Sequence, residues 1–146
     1  MRESLATLTS QRLRDAGIAF AAGDVETLRI SARNPAIGDI VVSFEDGEVS
    51  VFLGDITHCH FTPYEADDKF PGCTKQRAAT DAVQFIREVV DDKWVIWCWS
   101  DGRGGCFKLE GDDEEVADAP LLGEDVKCFL WSGAFVPSSK SLGRVR

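Results

Sequence analysis

"DIVVSFEDGEVSVFLGD", Asp39 to Asp55, is the stretch whose reading decides the fold. Placing Asp46 and Gly47 at the centre of a two-residue type I′ turn sets Glu45 opposite Glu48, Phe44 opposite Val49, Val42 opposite Val51 and Ile40 opposite Leu53. One face of the hairpin is then Ile40, Val42, Phe44, Val49, Val51 and Leu53, wholly apolar. The other is Val41, Ser43, Glu45, Glu48, Ser50 and Phe52, mostly polar. A slip of one residue would turn the entire apolar set to the opposite face, so hydrophobic sorting specifies the register.

Working outward, residues 3–16 read as a short amphipathic helix with Leu5, Leu8, Arg12 and Leu13 near 3.6-residue spacing and Gly17 as its stop. From Glu26 the period becomes two, Leu28, Ile30 and Ala32 alternating with Thr27, Arg29 and Ser31 until Asn34-Pro35. Beyond the hairpin, Gly54-Asp55 interrupts the alternation, a strand resumes over Ile56 to Phe61, and "TPYEADDKFPGC" reads as a loop. Thr74 caps a helix running to about Asp91, with Ala78, Ala79, Ala82, Val83, Ile86, Val89 and Val90 as its apolar stripe. Then come the strand "KWVIWCWS", the turn "DGRGG", the return "CFKLE" and a last strand "VKCFLWSG". The order is helix, four strands, helix, three strands. It predicts an α+β fold: a single domain over 1–137, with a largely antiparallel twisted sheet of about six or seven strands packed against one long core helix and a short N-terminal helix. Residues 138–146 read as a polar, basic, fraying tail.

A chain of 146 residues that is 44% hydrophobic and 28% charged has the composition of a globular domain. At this size folding buries roughly 68 to 70% of the unfolded surface, so no metal or disulfide is needed for stability. Sixteen Lys and Arg against 25 Asp and Glu give a net charge of -9, which repels nucleic acid and anionic lipid and suits a basic partner. The five cysteines (Cys59, Cys73, Cys98, Cys106 and Cys128) are an odd set without a CxxC pair, the pattern of reduced thiols and a cytoplasmic location. Neither a signal-peptide core nor a run of about 18 apolar residues is present, so neither secretion nor membrane spanning is expected.

Four features carry possible chemistry. His58 and His60 lie on one face of an extended strand, about 6 to 7 Å apart at Cα, where two imidazoles could share zinc or another divalent metal. Asp55, Glu65, Asp67 and Asp68 are near enough in sequence to be candidates for a third ligand, though none sits in a known ligand pattern. Cys59 points to the opposite face, which disfavours a cysteine activated by its neighbours. In "WVIWCWS", Trp97 and Trp99 share a face with Val95 while Trp94 shares the other with Ile96 and Cys98. With both faces aromatic, part of the set is available for a small-ligand pocket or a docking surface. Arg103, at the tip of the glycine-rich turn, is placed for a partner's carboxylate. Asp112, Asp113, Glu114 and Glu115 belong to a segment, 110–125, whose eight acids meet no base, a patch able to steer a basic protein.

"GDITHCHF", with Gly54, Thr57, His58, His60 and Phe61, and the closing Trp131, Ser132 and Gly133 of "FLWSG" resemble small, mostly uncharacterised bacterial proteins carrying a G-x-x-T-H-x-H-F-like stretch. In size, acidity and α+β build the chain is also similar to bacterial immunity proteins, which neutralise toxins by occlusion. The net charge of -9, the acid-only segment and the lack of a complete catalytic set predict a non-enzymatic module, of the immunity type, that binds a basic protein through the acidic segment, Arg103, Trp97 and Trp99. A metal-binding protein or metal-dependent enzyme centred on His58 and His60, and a tryptophan-lined pocket for a small ligand, are the alternatives.

Overall fold

The computed structural model describes residues 4–23, 26–69, 71–109 and 126–135. Helix α1 (Leu5–Asp15) starts where the Ser4 hydroxyl accepts the Thr7 N–H. It stops in a Schellman motif: Gly17, at φ 73°, donates to the Arg14 carbonyl, and Ile18 donates to Leu13. Strands β1 (Ala21–Ala22), β2 (Thr27–Ile30), β3 (Ile40–Ser43), β4 (Val49–Leu53) and β5 (Thr57–Phe61) form an antiparallel meander in that spatial order. Helix α2 (Lys75–Val90), capped by Thr74, follows. A second antiparallel sheet of β6 (Trp94–Cys98), β7 (Gly104–Lys108), β8 (Lys127–Leu130) and β9 (Gly133–Ala134) has the order β7-β6-β8-β9.

The hairpin has the register its sequence dictates: Ile40 faces Leu53, Val42 faces Val51, and Ser43 faces Ser50. Asp46 and Gly47 both have positive φ, 59° and 72°, as a type I′ turn demands. Phe44 lies just beyond the ladder but is still buried, so all six residues of the apolar face enter the core. Leu28 and Ile30 extend that face on β2, and the α2 stripe lies across it. The seven strands legible in the sequence are thus split between two sheets, and the two-residue β1 and β9 are added at their edges.

The sheets meet edge to edge. Among the described residues the seam carries one backbone hydrogen bond, from Gly104 N–H to the Ile56 carbonyl at 3.0 Å, and α2 covers β4, β5 and β6 together. Trp131 is buried in the same core, its turn held by Asp92 and Asn34. Among the described residues no helix is long and apolar enough to cross a membrane.

Gly54 fixes how β4 turns into β5. Its φ is 54°, its N–H donates to the Asp39 carbonyl at 3.0 Å, and an added Cβ would fall on the Ile37 carbonyl. Gly54→Ala meets a left-handed backbone, costing about 1 to 2 kcal/mol, and displaces the 34–39 loop as well. The expected loss is at least about 2 kcal/mol in urea unfolding. A loss below about 0.5 kcal/mol, the range of an ordinary surface change, would contradict this account.

Candidate functional site

Strand β5 pairs with β4 so that Ser50 faces His60 and Phe52 faces His58. This puts both imidazoles on the exposed face of the first sheet, with Cys59 turned inward. The imidazole rings stand edge to face, 4.8 Å between centroids, and His58 also tilts against Phe52 at 5.2 Å. His60 Nδ1 lies 2.9 Å from both the Ser50 hydroxyl and Glu48 Oε1. Thr62 donates to Glu48 Oε2 at 2.8 Å. That hydrogen bond holds the Glu48 carboxyl below its ordinary range, against desolvation and with help from the adjacent His60 and Ser50.

Serine, histidine and glutamate stand together here, but they do not make a catalytic triad. A relay needs the hydroxyl on one ring nitrogen and the carboxylate on the other. Here both meet Nδ1, and the Ser50 side chain is buried in the sheet face. Glu48, not Asp55, Glu65, Asp67 or Asp68, is the carboxylate at His60, and among the described residues no group of three His, Cys, Asp or Glu side chains could hold an ion.

The tryptophans divide as strand alternation requires. Trp94 and Ile96 face α2, and Trp97 lies on the other face, its indole over Gly105. A Cβ on Gly105 would stand 2.8 Å from Trp97 Cζ2, so this glycine leaves room for the ring. Trp99 is 47% exposed and meets Trp97 edge to face at 5.2 Å. Arg103 sits in the same turn, but its guanidinium is occupied by Asp101, at 3.1 and 3.0 Å from Oδ2. The acidic residues Asp112, Asp113, Glu114 and Glu115, and the tail 138–146, lie outside the described residues.

On the inner side, where the two sheets part below α2, Cys59, His60, Phe61, Asp81, Gln84, Phe85, Glu88 and Trp94 line an open pocket of 430 Å³. Phe61, Phe85 and Trp94 form an aromatic row with centroids 6.0 and 5.1 Å apart. Glu88 anchors its end, accepting from Trp94 Nε1 at 3.2 Å and pairing with Lys108 at 3.0 Å. Desolvation pushes the Glu88 carboxyl up, but the hydrogen bonds from Lys108, Trp94 and Gln84 outweigh it and hold it low.

Cys59 meets Cys106 of β7 across the seam. A hydrogen bond from the Cys106 thiol brings Cys59 down to about 7, opposed by burial and assisted by the charge of His60. The same hydrogen bond, with deeper burial, pushes Cys106 up. Glu48, Ser50, Cys106 and Phe85 were not singled out as site residues by the sequence, and Phe61 entered only through the G-x-x-T-H-x-H-F-like stretch. The β4–β5 register would have indicated Ser50, and Glu48 two residues along the same face. Cys106 gives no local signal, because its partner strand belongs to the other sheet.

No family model, curated protein or solved structure matches the chain.

If Cys106 holds the Cys59 thiolate, iodoacetamide should modify Cys59 with a half-maximal rate near pH 7. In Cys106→Ala the midpoint should move toward about 8.5, the value of a free cysteine. Peptide-resolved alkylation rates between pH 5.5 and 9.5 test this, and a wild-type midpoint above pH 8 would contradict the assignment.

Proposed function

We propose that the chain is a binding protein whose site is the aromatic pocket between α2, β5 and β6, taking a compact small molecule. The observation that supports this reading is the row Phe61, Phe85 and Trp94 opening onto a 430 Å³ space edged by Gln84 and Glu88. An apolar wall with a few converging polar groups is the usual build of a small-ligand site. The ligand has a flat or aliphatic body for the aromatic wall and a hydrogen-bond donor for the acceptors at the rim. A larger pocket of 520 Å³ between the 35–39 loop and Gly102 supports less, because no aromatic side chain stands among its described lining residues.

A metabolite screen by tryptophan fluorescence and thermal shift tests the proposal. The expected hit raises Tm in the wild type and loses at least tenfold affinity, about 1.4 kcal/mol, in Gln84→Trp. That substitution fills the rim from an exposed helix position and leaves the core alone. A hit whose affinity is unchanged in the variant binds elsewhere and removes the pocket from consideration.

The exposed tryptophan at the β6–β7 turn favours a second reading, a protein partner. Trp99 with Trp97 beneath it is an aromatic anchor of the kind that dominates protein interfaces, and the net charge of -9 suits a basic partner, as in occlusion of a toxin. Trp99→Ala should then lower partner affinity by about 2 kcal/mol or more, with a stability loss of about 0.5 to 1.5 kcal/mol from the broken ring pair that leaves the chain folded. Capture from source-cell extract followed by calorimetry at low and high salt is the measurement. Equal capture by wild type and variant, or affinity indifferent to salt, would count against this surface.

A further inference from the structure

Two of the five cysteines face each other from different sheets. Cys59 shares the inner face with its partner Val51, and Cys106 shares the inner face with its partner Ile96, so both thiols point toward α2 from the two edges that meet at the seam. The backbone is drawn together there by the Gly104 to Ile56 hydrogen bond. Both cysteines are free thiols, and Cys59 opens onto the pocket beside His60. The other neighbouring pair is arranged differently. Cys128 stands opposite Trp97, and Cys98 is the next residue along β6, so their side chains leave opposite faces of the sheet.

We propose that Cys59 and Cys106 form a redox-active dithiol, Cys59 the attacking sulfur and Cys106 the resolving one, which closes to a disulfide across the seam on meeting a low-molecular-weight disulfide. The Cys59 thiolate attacks one sulfur of the small disulfide, forms a mixed disulfide and releases one small thiolate. Cys106 then gives up its proton, and its sulfur attacks the Cys59 sulfur. The second small thiolate leaves, the protein disulfide forms, and the two small thiolates end as thiols with the protons given up by the cysteines. Two electrons pass from the protein pair to the small molecule. Access from the pocket decides which cysteine reacts first, since Cys59 lines it while Cys106 lies deeper. The product ties together two sheet edges otherwise joined, among the described residues, by a single backbone hydrogen bond, and it encloses α2 in a covalent loop. This inference does not rest on any ligand occupying the pocket.

The test uses the folded full-length chain and oxidised glutathione, followed by acid quenching, alkylation and mass mapping of non-reduced peptides. The expected product is a Cys59–Cys106 linked peptide, together with a Tm raised by several degrees that returns to its starting value with dithiothreitol. Cys106→Ser should stop at glutathione on Cys59, Cys59→Ser should give neither adduct nor link at Cys106, and Cys98→Ser should still form the link. The wild-type map decides the matter whether or not the variants fold. Free Cys59 and Cys106 after an exposure that modifies other cysteines would overturn the proposal. So would a link that forms only in denaturant, or one no faster than linkage of Cys98 to Cys128.

Discussion

Helix α2 must cover two sheets at once, and the position of every candidate site follows from how it does so. Its alanines, Ala78, Ala79 and Ala82, lie in its first half, and its larger residues, Val83, Phe85, Ile86 and Val89, lie further along. Burying each of the larger side chains contributes about 1.5 to 3 kcal/mol, whereas an exposed pair on the same helix such as Arg77 with Asp81 contributes at most about 1. Apolar coverage therefore sets the helix position and the charges decorate it. The β5 and β7 edges meet at the Gly104 to Ile56 hydrogen bond, and the sheets part beneath the helix. Phe61 from the first sheet, Phe85 from α2 and Trp94 from the second then meet around a gap that none of them fills.

The far end of the core depends on two polar side chains. Asp92 occupies the left-handed position that ends α2 in a Schellman motif, at φ 62°, where glycine would be free of strain. The backbone cost is about 1 to 2 kcal/mol. Its carboxylate accepts from Ser132 N–H at 3.0 Å and from the Ser132 hydroxyl, and hydrogen bonds to a charged group contribute about 1.5 to 3 kcal/mol each, enough to offset that cost. Asn34 completes the hold, donating 3.0 Å hydrogen bonds to the carbonyls of Leu130 and Gly133. Between them they seat Trp131 in the core and so fix β8 beside β6.

Local pattern carried much of this architecture into the sequence. Ile40, Val42, Val49, Val51 and Leu53 could share a face in one register only, and the Asp46-Gly47 turn could accept two positive φ values, so strand order and pairing were readable there. The cap Thr74 and the stop at Gly17 were readable for the same reason, since each acts within a few residues. The division into two sheets was not, because the Gly104 to Ile56 contact joins residues far apart in sequence with no side-chain signature. Strands β1 and β9, two residues each, are too short to show a period. Of the site, the shared face of His58 and His60 was readable, while Glu48 at His60 required the β4–β5 register and Cys106 at Cys59 required the seam.

The same alternation that puts the two histidines on one face of β5 places Cys59 and Phe61 on the other. On β5 the outward residues meet water and the first sheet's own side chains, so His60 is satisfied by Glu48 and Ser50 within the sheet. The inward residues Cys59 and Phe61 face the place where a second sheet arrives, and only there can one strand acquire partners its own hairpin does not supply. Cys59 gains a thiol from β7, and Phe61 gains an aromatic row running through Phe85 to Trp94. A strand at the edge of one sheet and the seam of another thus carries its satisfied polar groups outside and turns Cys59 and Phe61 toward the second sheet inside.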